Sequence, residues 1–283
     1  MKAVVVTGAS TGIGAACVDL LVENGFLVFA SVRKDSDAAT LTARHGASVI
    51  PLLFDVTDAQ SIAAAARDVE TRLDGETLAG LVNNAGVAVP GPLLHLPIDD
   101  FRRQMDVNLI GQLRIIQAFA PLLGAGAQRR GAPGRIVNMS SVAGRFAAPY
   151  LGAYAASKFG LEGMSDALRR ELMVYGVDVV LIEPGMIATP IWDKAEATDL
   201  AMFEGTAYAG PGRRMLKWLV EAGRRAPGPE VVASAVLRAL TAPRPPLRIP
   251  VVKNRFTDYT LRSLLPGRFV DWLTARRLGL LPK

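Results

Sequence analysis

Ala3–Asn24 reads AVVVTGASTGIGAACVDLLVEN, and its three parts decide the architecture. Ala3–Thr7 is a valine-rich run, the pattern of a strand buried on both faces of a parallel sheet. Gly8-Ala9-Ser10-Thr11-Gly12-Ile13-Gly14 follows at once, and Ala15–Asn24 has helical character. A strand, a glycine-rich turn and a helix start make a cradle for phosphate. Glycine lets the backbone approach the ligand, and the helix start offers unpaired N–H groups at its positive end. The spacing is Gly-x3-Gly-x-Gly, so the alternative of a plain tight turn stands beside it.

Tyr154 and Lys158 lie one helical turn apart in YLGAYAASK, Tyr150–Lys158. A phenol ordinarily titrates near ~10, and a nearby ammonium favours the phenolate. Such a pair is suited to giving or taking an alcohol proton. Of the five tyrosines, only Tyr154 has a lysine four positions on. Leu81–Gly86 (LVNNAG) is an apolar strand ending in two asparagines, whose amides can bond neighbouring turns or simply form one. Arg135–Gly144 (RIVNMSSVAG) delivers Ser140 and Ser141 to the carboxyl end of another strand, the end where open α/β sheets bind ligands. Each segment alone has an ordinary structural explanation: a solvated helix face, a turn, a strand end.

In combination and order these segments resemble the short-chain dehydrogenase/reductase family over residues 1 to about 250. The matching positions are Thr7-Gly8-x3-Gly12-x-Gly14, Asn83-Asn84-Ala85-Gly86, Asn108, Ser141, Tyr154-x3-Lys158 and Pro184-Gly185. The retinol, hydroxysteroid and 3-hydroxybutyrate dehydrogenase branch is most similar, through Phe26–Arg33 (FLVFASVR), Asp106–Gly111 (DVNLIG) and a long region after the Pro-Gly. The resemblance implies a single Rossmann-type doubly wound parallel sheet with helices on both faces. It implies reversible hydride transfer between a nicotinamide and an alcohol or carbonyl, without a metal. Tyr154 would be the general acid/base, Ser141 the donor to the substrate oxygen, and Lys158 the residue that lowers the Tyr154 pKa and holds the nicotinamide ribose. Asn108 would anchor a water, or only kink its helix. Cofactor contacts are implied for Gly8, Ser10, Thr11, Gly12, Ile13, Gly14, Asp55, Val56, Asn83, Ala85 and Gly86. Pro184, Gly185, Ile187 and Thr189 would border the nicotinamide amide. A homodimer or homotetramer is implied as well.

The second strand ends Ala30-Ser31-Val32-Arg33-Lys34, with no acid before Asp35. An acid there would bond the adenosine ribose of NAD. Arg33 and Lys34 instead suit a 2′-phosphate, which favours NADP and leaves NAD possible.

The length of 283 residues suits one large α/β domain, and the 50% hydrophobic content supports a substantial core. The single cysteine, Cys17, excludes an internal disulfide and a cysteine metal cluster. His45 and His95 are too few for a histidine metal site. The apolar runs are shorter than a membrane span, and Met1-Lys2 leads directly into the first strand, so a cytoplasmic protein is expected. The net charge of +6 is spread along the chain with no aromatic stacking platform, which argues against nucleic acid as a partner.

Strand-like runs fall near 3–7, 26–32, 48–54, 78–82, 134–140, 177–183 and 246–251, alternating with helix-like runs near 12–24, 37–45, 58–73, 99–123, 151–175 and 229–241. Residues 1–254 read as one domain. Its stretch from about 190 to 225 carries Trp192, Met202, Phe203, Tyr208, Met215 and Trp218, and the resemblance implies a helical lid over the substrate there. An amphipathic surface hairpin is the other reading. The lid residues, with Val142, Phe146 and Pro149, favour an apolar substrate of steroid, retinoid or lipid type. Residues 255–283 form an appended tail of leucines, aromatics and arginines. That composition suits a helix in a membrane interface, a helix packed on the body, or one packed on a second subunit. A nonenzymatic dinucleotide-binding redox regulator is the competing function. It would need the glycine turn but not the four residues Asn108, Ser141, Tyr154 and Lys158.

Overall fold

The computed structural model describes residues 2–126, 128–197 and 203–282; Met202 of the lid stretch lies outside them. Among the described residues seven strands form one sheet: β1 (Ala3–Val6), β2 (Leu27–Val32), β3 (Val49–Leu53), β4 (Gly80–Asn83), β5 (Arg135–Met139), β6 (Asp178–Pro184) and β7 (Arg248–Val251). Their order is β3-β2-β1-β4-β5-β6-β7, and every pairing is parallel. The order reverses between β1 and β4. In open α/β sheets the crevice at such a reversal, beyond the carboxyl ends of the strands, is where ligands bind.

Both faces of the sheet are covered, which is why its strands are continuous apolar runs. On one face α1 (Gly12–Glu23), α2 (Asp35–His45) and α9 (Glu230–Thr241) bury Cys17, Leu21, Leu41, Val232 and Val236 against Val4, Val28 and Val137. On the other, α3 (Ala59–Leu73), α5 (Gly111–Phe119) and the turn after α6 (Gly152–Glu171) bury Ile62, Val69, Ile115, Phe119 and Leu172 against Val5, Phe29 and Leu81. Burial pushes the Cys17 thiol up to about 12, as befits an inert core residue.

The helix expected over 99–123 is not uniform. α4 (Ile98–Met105) passes into α5 through a π turn at Asp106–Ile110, and Asn108 sits inside that turn. The apolar pattern runs on through the segment, so periodicity alone reads it as one helix. Gln104, Asn108 and Gln112, four residues apart, are all buried and point the same way. Gln104 accepts from Val89 N at 2.8 Å and donates to Val87 O at 2.9 Å. Asn108 accepts from Val87 N and donates to Val87 O, both at 2.9 Å. Gln112 donates to Ala85 O at 2.6 Å. These three amides clamp the chain leaving β4, and the widened turn sets the middle one in register with Val87.

Within the lid stretch, α7 (Ile191–Glu196) and α8 (Ala209–Arg224) pack together. A side chain on Gly223 would collide with the Trp192 indole, whose Nε1 donates to Ile187 O at 2.7 Å. The tail forms a π turn (Phe256–Thr260), α10 (Leu261–Leu264) and α11 (Gly267–Leu278). α11 lies on α8. Arg214 donates through Nε and Nη2 to Leu278 O at 3.0 and 2.7 Å, the Arg277 guanidinium stands 4.9 Å from the Trp218 ring, and Leu278 is buried with Met215 and Tyr150. Among the described residues no helix is long and apolar enough to cross a membrane.

Candidate active site

The glycine turn closes on the end of β4. Gly8 has φ +65°, and a Cβ there would lie 2.9 Å from Ala85 Cα. A Cβ on Gly14 would lie 2.1 Å from Gly8 O, so only glycine allows the first turn of α1 to pack against the loop. Thr7 holds the two segments together: its Oγ1 accepts from Asn84 N at 2.9 Å and Ala85 N at 3.0 Å. Asn84 Nδ2 donates back to Thr7 O and Gly8 O at 2.9 and 3.2 Å. Asn83 turns its side chain into the sheet instead, donating to Asn138 Oδ1 at 3.0 Å, and Asn138 passes the chain on to Ser165 at 2.8 Å. Asn84, not Asn83, therefore supports the glycine turn through its side chain. The α1 start carries no side-chain cap and no acid in its first turn, and Ser10 and Thr11 are exposed beside it. Unpaired N–H groups with no competing carboxylate suit a bound phosphate.

Arg33 and Lys34 are exposed beyond β2, on the same side of the sheet as the glycine turn. Asp55, beyond β3, accepts from Thr57 N and Oγ1 at 2.9 and 2.7 Å. Burial pushes its carboxyl up, but the Thr57 bonds and the Arg33 guanidinium carry it below its ordinary value. Val56 is buried next to it. Ala85 is half-buried and Gly86 exposed at the mouth of the β4 loop. On the opposite wall, Thr189 is the nearest group to the open side of Gly12, at 3.3 Å from a Cβ built there. Gly185 N donates to Val251 O at 2.9 Å, and Ile187 is buried.

The serine strand and α6 meet at the carboxyl end of β5. Ser141 Oγ accepts from Ala143 N at 3.1 Å and donates to Pro184 O at 3.4 Å, and the serine lies near enough to Tyr154 to favour its ionised form. Ser140 Oγ is buried, has no hydrogen-bond partner among the described residues and lies under Gly144. Lys158 is 4% exposed; its Nζ donates to Met139 O at 2.7 Å and stands 5.7 Å from the Tyr154 ring centre. Asn108 Nδ2 also donates to Ser157 Oγ at 3.3 Å, and Ser157 Oγ donates to Tyr154 O at 2.7 Å, so the π turn is tied to the Tyr154 helix.

The electrostatics differ from the sequence expectation in one respect. Burial raises the Tyr154 hydroxyl above its ordinary value, and the lowering influence beside it is Ser141, not Lys158. The phenol is partly shielded from water, while the ammonium is turned to the Met139 carbonyl. Burial also brings Lys158 down from 10.5 to about 8, with Glu162 acting in the opposite direction.

Of the expected pocket residues, Val142, Phe146 and Pro149 are half-buried on the loop between Ser141 and Tyr154. Trp192 binds α7 to α8. An apolar slot lies between the β4 loop and α8, lined by Pro90, Gly91, Tyr150, Met215 and Leu219. Phe203 reaches the same loop: a Cβ on Gly91 would lie 3.1 Å from its ring. His95 sets its ring edge-on to Tyr208 at 5.4 Å. Sequence reasoning missed Gln104 and Gln112, although their spacing from Asn108 was a signal. It also missed Glu183, an acid at the end of an apolar strand, which is fully buried beside Pro184.

A phosphate cradle at the sheet's reversal, with a tyrosine, a lysine and a serine at the neighbouring strand end, defines a dinucleotide-dependent class of α/β protein. Residues 2–200 match the family model described as short chain dehydrogenase. The chain belongs to this short-chain dehydrogenase/reductase family of oxidoreductases. It is 37% identical to the NADPH-dependent 3-dehydrocapnine reductase of Ornithobacterium rhinotracheale, over 96% of this chain and 95% of that protein. It is 36% identical to retinol dehydrogenase 5 of Mus musculus, over 96% and 88%. Its structure is similar to that of a short chain dehydrogenase/reductase from Burkholderia phymatum in complex with NAD. That match has a TM-score of 0.75 and 26% identity, and covers 96% of this chain and 95% of the other.

Proposed function

We propose that this chain catalyses reversible hydride transfer between NADP(H) and an apolar alcohol or carbonyl compound, with Tyr154 as the proton donor or acceptor. The observation that carries the reading is the meeting of Tyr154, Ser141 and Lys158 at the end of β5, beside the glycine turn. When bound, the nicotinamide cofactor supplies or accepts the hydride. In the reductive direction Ser141 turns its one hydroxyl proton from Pro184 O to the carbonyl oxygen, stabilising the charge that develops there. Tyr154 Oη gives its proton to the same oxygen, and in oxidation it takes that proton back. An ammonium has three donors. One Lys158 donor serves Met139 O, which leaves two for the nicotinamide ribose hydroxyls. Asn108 holds the π turn open and steadies α6 through Ser157.

Gly8, Ser10, Thr11, Gly12, Ile13 and Gly14 would hold the pyrophosphate. Asp55 and Val56 would meet the adenine, and Ala85 and Gly86 would line the base of the groove with the backbone of Asn83. Pro184, Gly185, Ile187 and Thr189 would border the amide. Arg33 and Lys34 favour the 2′-phosphate of NADP, and the NADPH dependence of the reductase at 37% identity supports the choice. Val142, Phe146 and Pro149, half-buried between Ser141 and Tyr154, support an apolar substrate. A panel of alcohols and carbonyls, assayed with both nicotinamides by absorbance of the reduced cofactor, tests the reading. Turnover confined to sugars or other strongly polar substrates would refute the apolar assignment.

We also propose weak contact of the tail with anionic membranes. Phe256, Leu264, Phe269, Trp272 and Leu273 are exposed together with Arg255, Arg268 and Arg276, a composition suited to a lipid interface.

A further inference from the structure

Tyr154, Lys158, Glu162 and Asp166 follow one another at four-residue intervals along α6, so a single face of the helix carries the site at one end and two acids at the other. Glu162 is 6% exposed, an unusual place for a carboxylate without a partner. Its partner comes from the edge of the sheet: Arg248 of β7 donates through Nε to Glu162 Oε2 at 2.9 Å and through Nη2 to Asp166 Oδ2 at 3.0 Å. The same Nε stands 3.6 Å from Glu183 Oε1. Among the described residues Glu162 Oε1 has no hydrogen-bond partner, and it remains buried. Gly144, on the loop after Ser141, fits between the two halves of this face. A Cβ there would lie 3.1 Å from both Glu162 Cγ and Lys158 O. The acid is thus built into the wall of the site one turn beyond the lysine.

We infer that Glu162 is a positioning residue that keeps the buried Lys158 ammonium charged at the pH where the protein works, with Arg248 fixing Glu162 from the sheet edge. The inference rests on the reading of Lys158 as the residue that holds the cofactor ribose. A buried ammonium tends to shed its proton, and a carboxylate at close range opposes that. This is the sense in which Glu162 acts on Lys158, against the larger effect of burial.

The remaining charged and titratable neighbours fit the same arrangement. Tyr154 faces Lys158 from the same helix. Glu183 faces Glu162 from β6, and burial raises its carboxyl above its ordinary value, which eases repulsion between the two acids. Tyr259 of the tail stands near Glu183, and its own hydroxyl is pushed up to about 12, by burial first and then by Glu183. Its ring is edge-on to Phe146 at 5.7 Å, which closes the cluster from the outside. Arg145 acts on Glu183 and Tyr259 from the loop, and Arg169 pairs with Asp166 at 3.3 Å.

The test is the pH dependence of NADPH affinity, read from the fluorescence of the reduced nicotinamide between about pH 6 and about pH 10. The parent protein should lose affinity on the alkaline side as Lys158 is deprotonated, and Lys158→Met should lack that transition. Glu162→Gln keeps the shape of the side chain and should move the transition down by about one pH unit, the smaller end of what an opposite charge supplies. Arg248→Gln leaves the Glu162 charge unopposed and should move it up. Opposite movements by two variants of one ion pair are not produced by simple loosening of the fold. If Glu162→Gln does not fold, Arg248→Gln carries the test. Binding with unmoved midpoints, or with both midpoints moved the same way, would overturn the inference alone. A parent whose affinity has no alkaline transition would also overturn it. No binding at any pH would remove the underlying reading and this inference with it.

Discussion

Arg33 Nη1 lies 3.6 Å from Asp55 Oδ2, a contact that joins the loops after β2 and β3. Arg33 is 71% and Asp55 40% exposed, so the pair is open to solvent and adds little to stability. The guanidinium is held near the sheet's carboxyl edge without being consumed by its partner. Replacing Arg33 with Ala should weaken NADPH binding at least about tenfold and leave NADH binding nearly unchanged, since one charge-assisted bond is worth about 1.5–3 kcal/mol. Titration of both reduced cofactors checks this. Tighter NADH than NADPH binding, unaffected by Arg33→Ala, would refute the NADP assignment.

Tyr154→Phe removes one oxygen and should lower turnover by about 10²–10⁴-fold while cofactor affinity stays close to that of the parent. Steady-state rates and a cofactor titration separate the two effects. Ser141→Ala should cost more turnover than Ser140→Ala, because Ser141 interacts with Tyr154 whereas Ser140 lies under Gly144. The reverse order would transfer the substrate contact to Ser140.

Lys158 carries a stability cost along with its role in the site. Its pKa drops from 10.5 to about 8 on burial, so the folded chain holds its proton less tightly than the unfolded chain. The cost is fully present below about pH 8, and stability recovers as pH rises toward 10.5, because the unfolded state binds more protons through that window. Lys158→Met should therefore stabilise the protein near neutral pH by on the order of 1–3 kcal/mol, with loss of turnover. The gain should shrink in more alkaline buffer. Thermal unfolding of both proteins at two pH values tests this, and a variant less stable than the parent at pH 7 would contradict it.

The exposed face of the tail gives a separate expectation. The parent should cosediment weakly with anionic vesicles at low salt and be released as salt screens the arginines. Replacing Phe269, Trp272 and Leu273 with Ser should reduce that binding several-fold, since these rings and the leucine are the apolar part of the contact. Negligible binding by the parent would leave α11 with only its packing on α8.

The strand, glycine turn and helix at residues 3–24 were legible because each rests on local pattern: a valine run, glycines at fixed spacing, a helical repeat. The family likeness added Asn108, Ser141, Tyr154 and Lys158 in order. The state of those groups was not legible. That Lys158 turns to Met139 O, or that burial dominates the Tyr154 hydroxyl, depends on segments brought together by the sheet. The π turn at Asp106–Ile110 stayed hidden because a widened turn leaves the apolar repeat almost intact. Glu162 was missed for another reason: an acid on a helix reads as solvated surface until Arg248, 86 residues on, is seen to cover it.

The attachment of α11 to α8 couples the two helices mechanically. Arg214 grips the last carbonyl of α11, and Leu278 sits beside Met215 under Tyr150. Movement of α8 away from the β4 loop would have to drag α11 along or break those contacts. The two helices thus form a single lever whose far arm is the end of the chain. A fluorophore on α11 would register any displacement of α8, and a bulky fusion placed beyond Leu278 would hang from this helix pair rather than from the sheet.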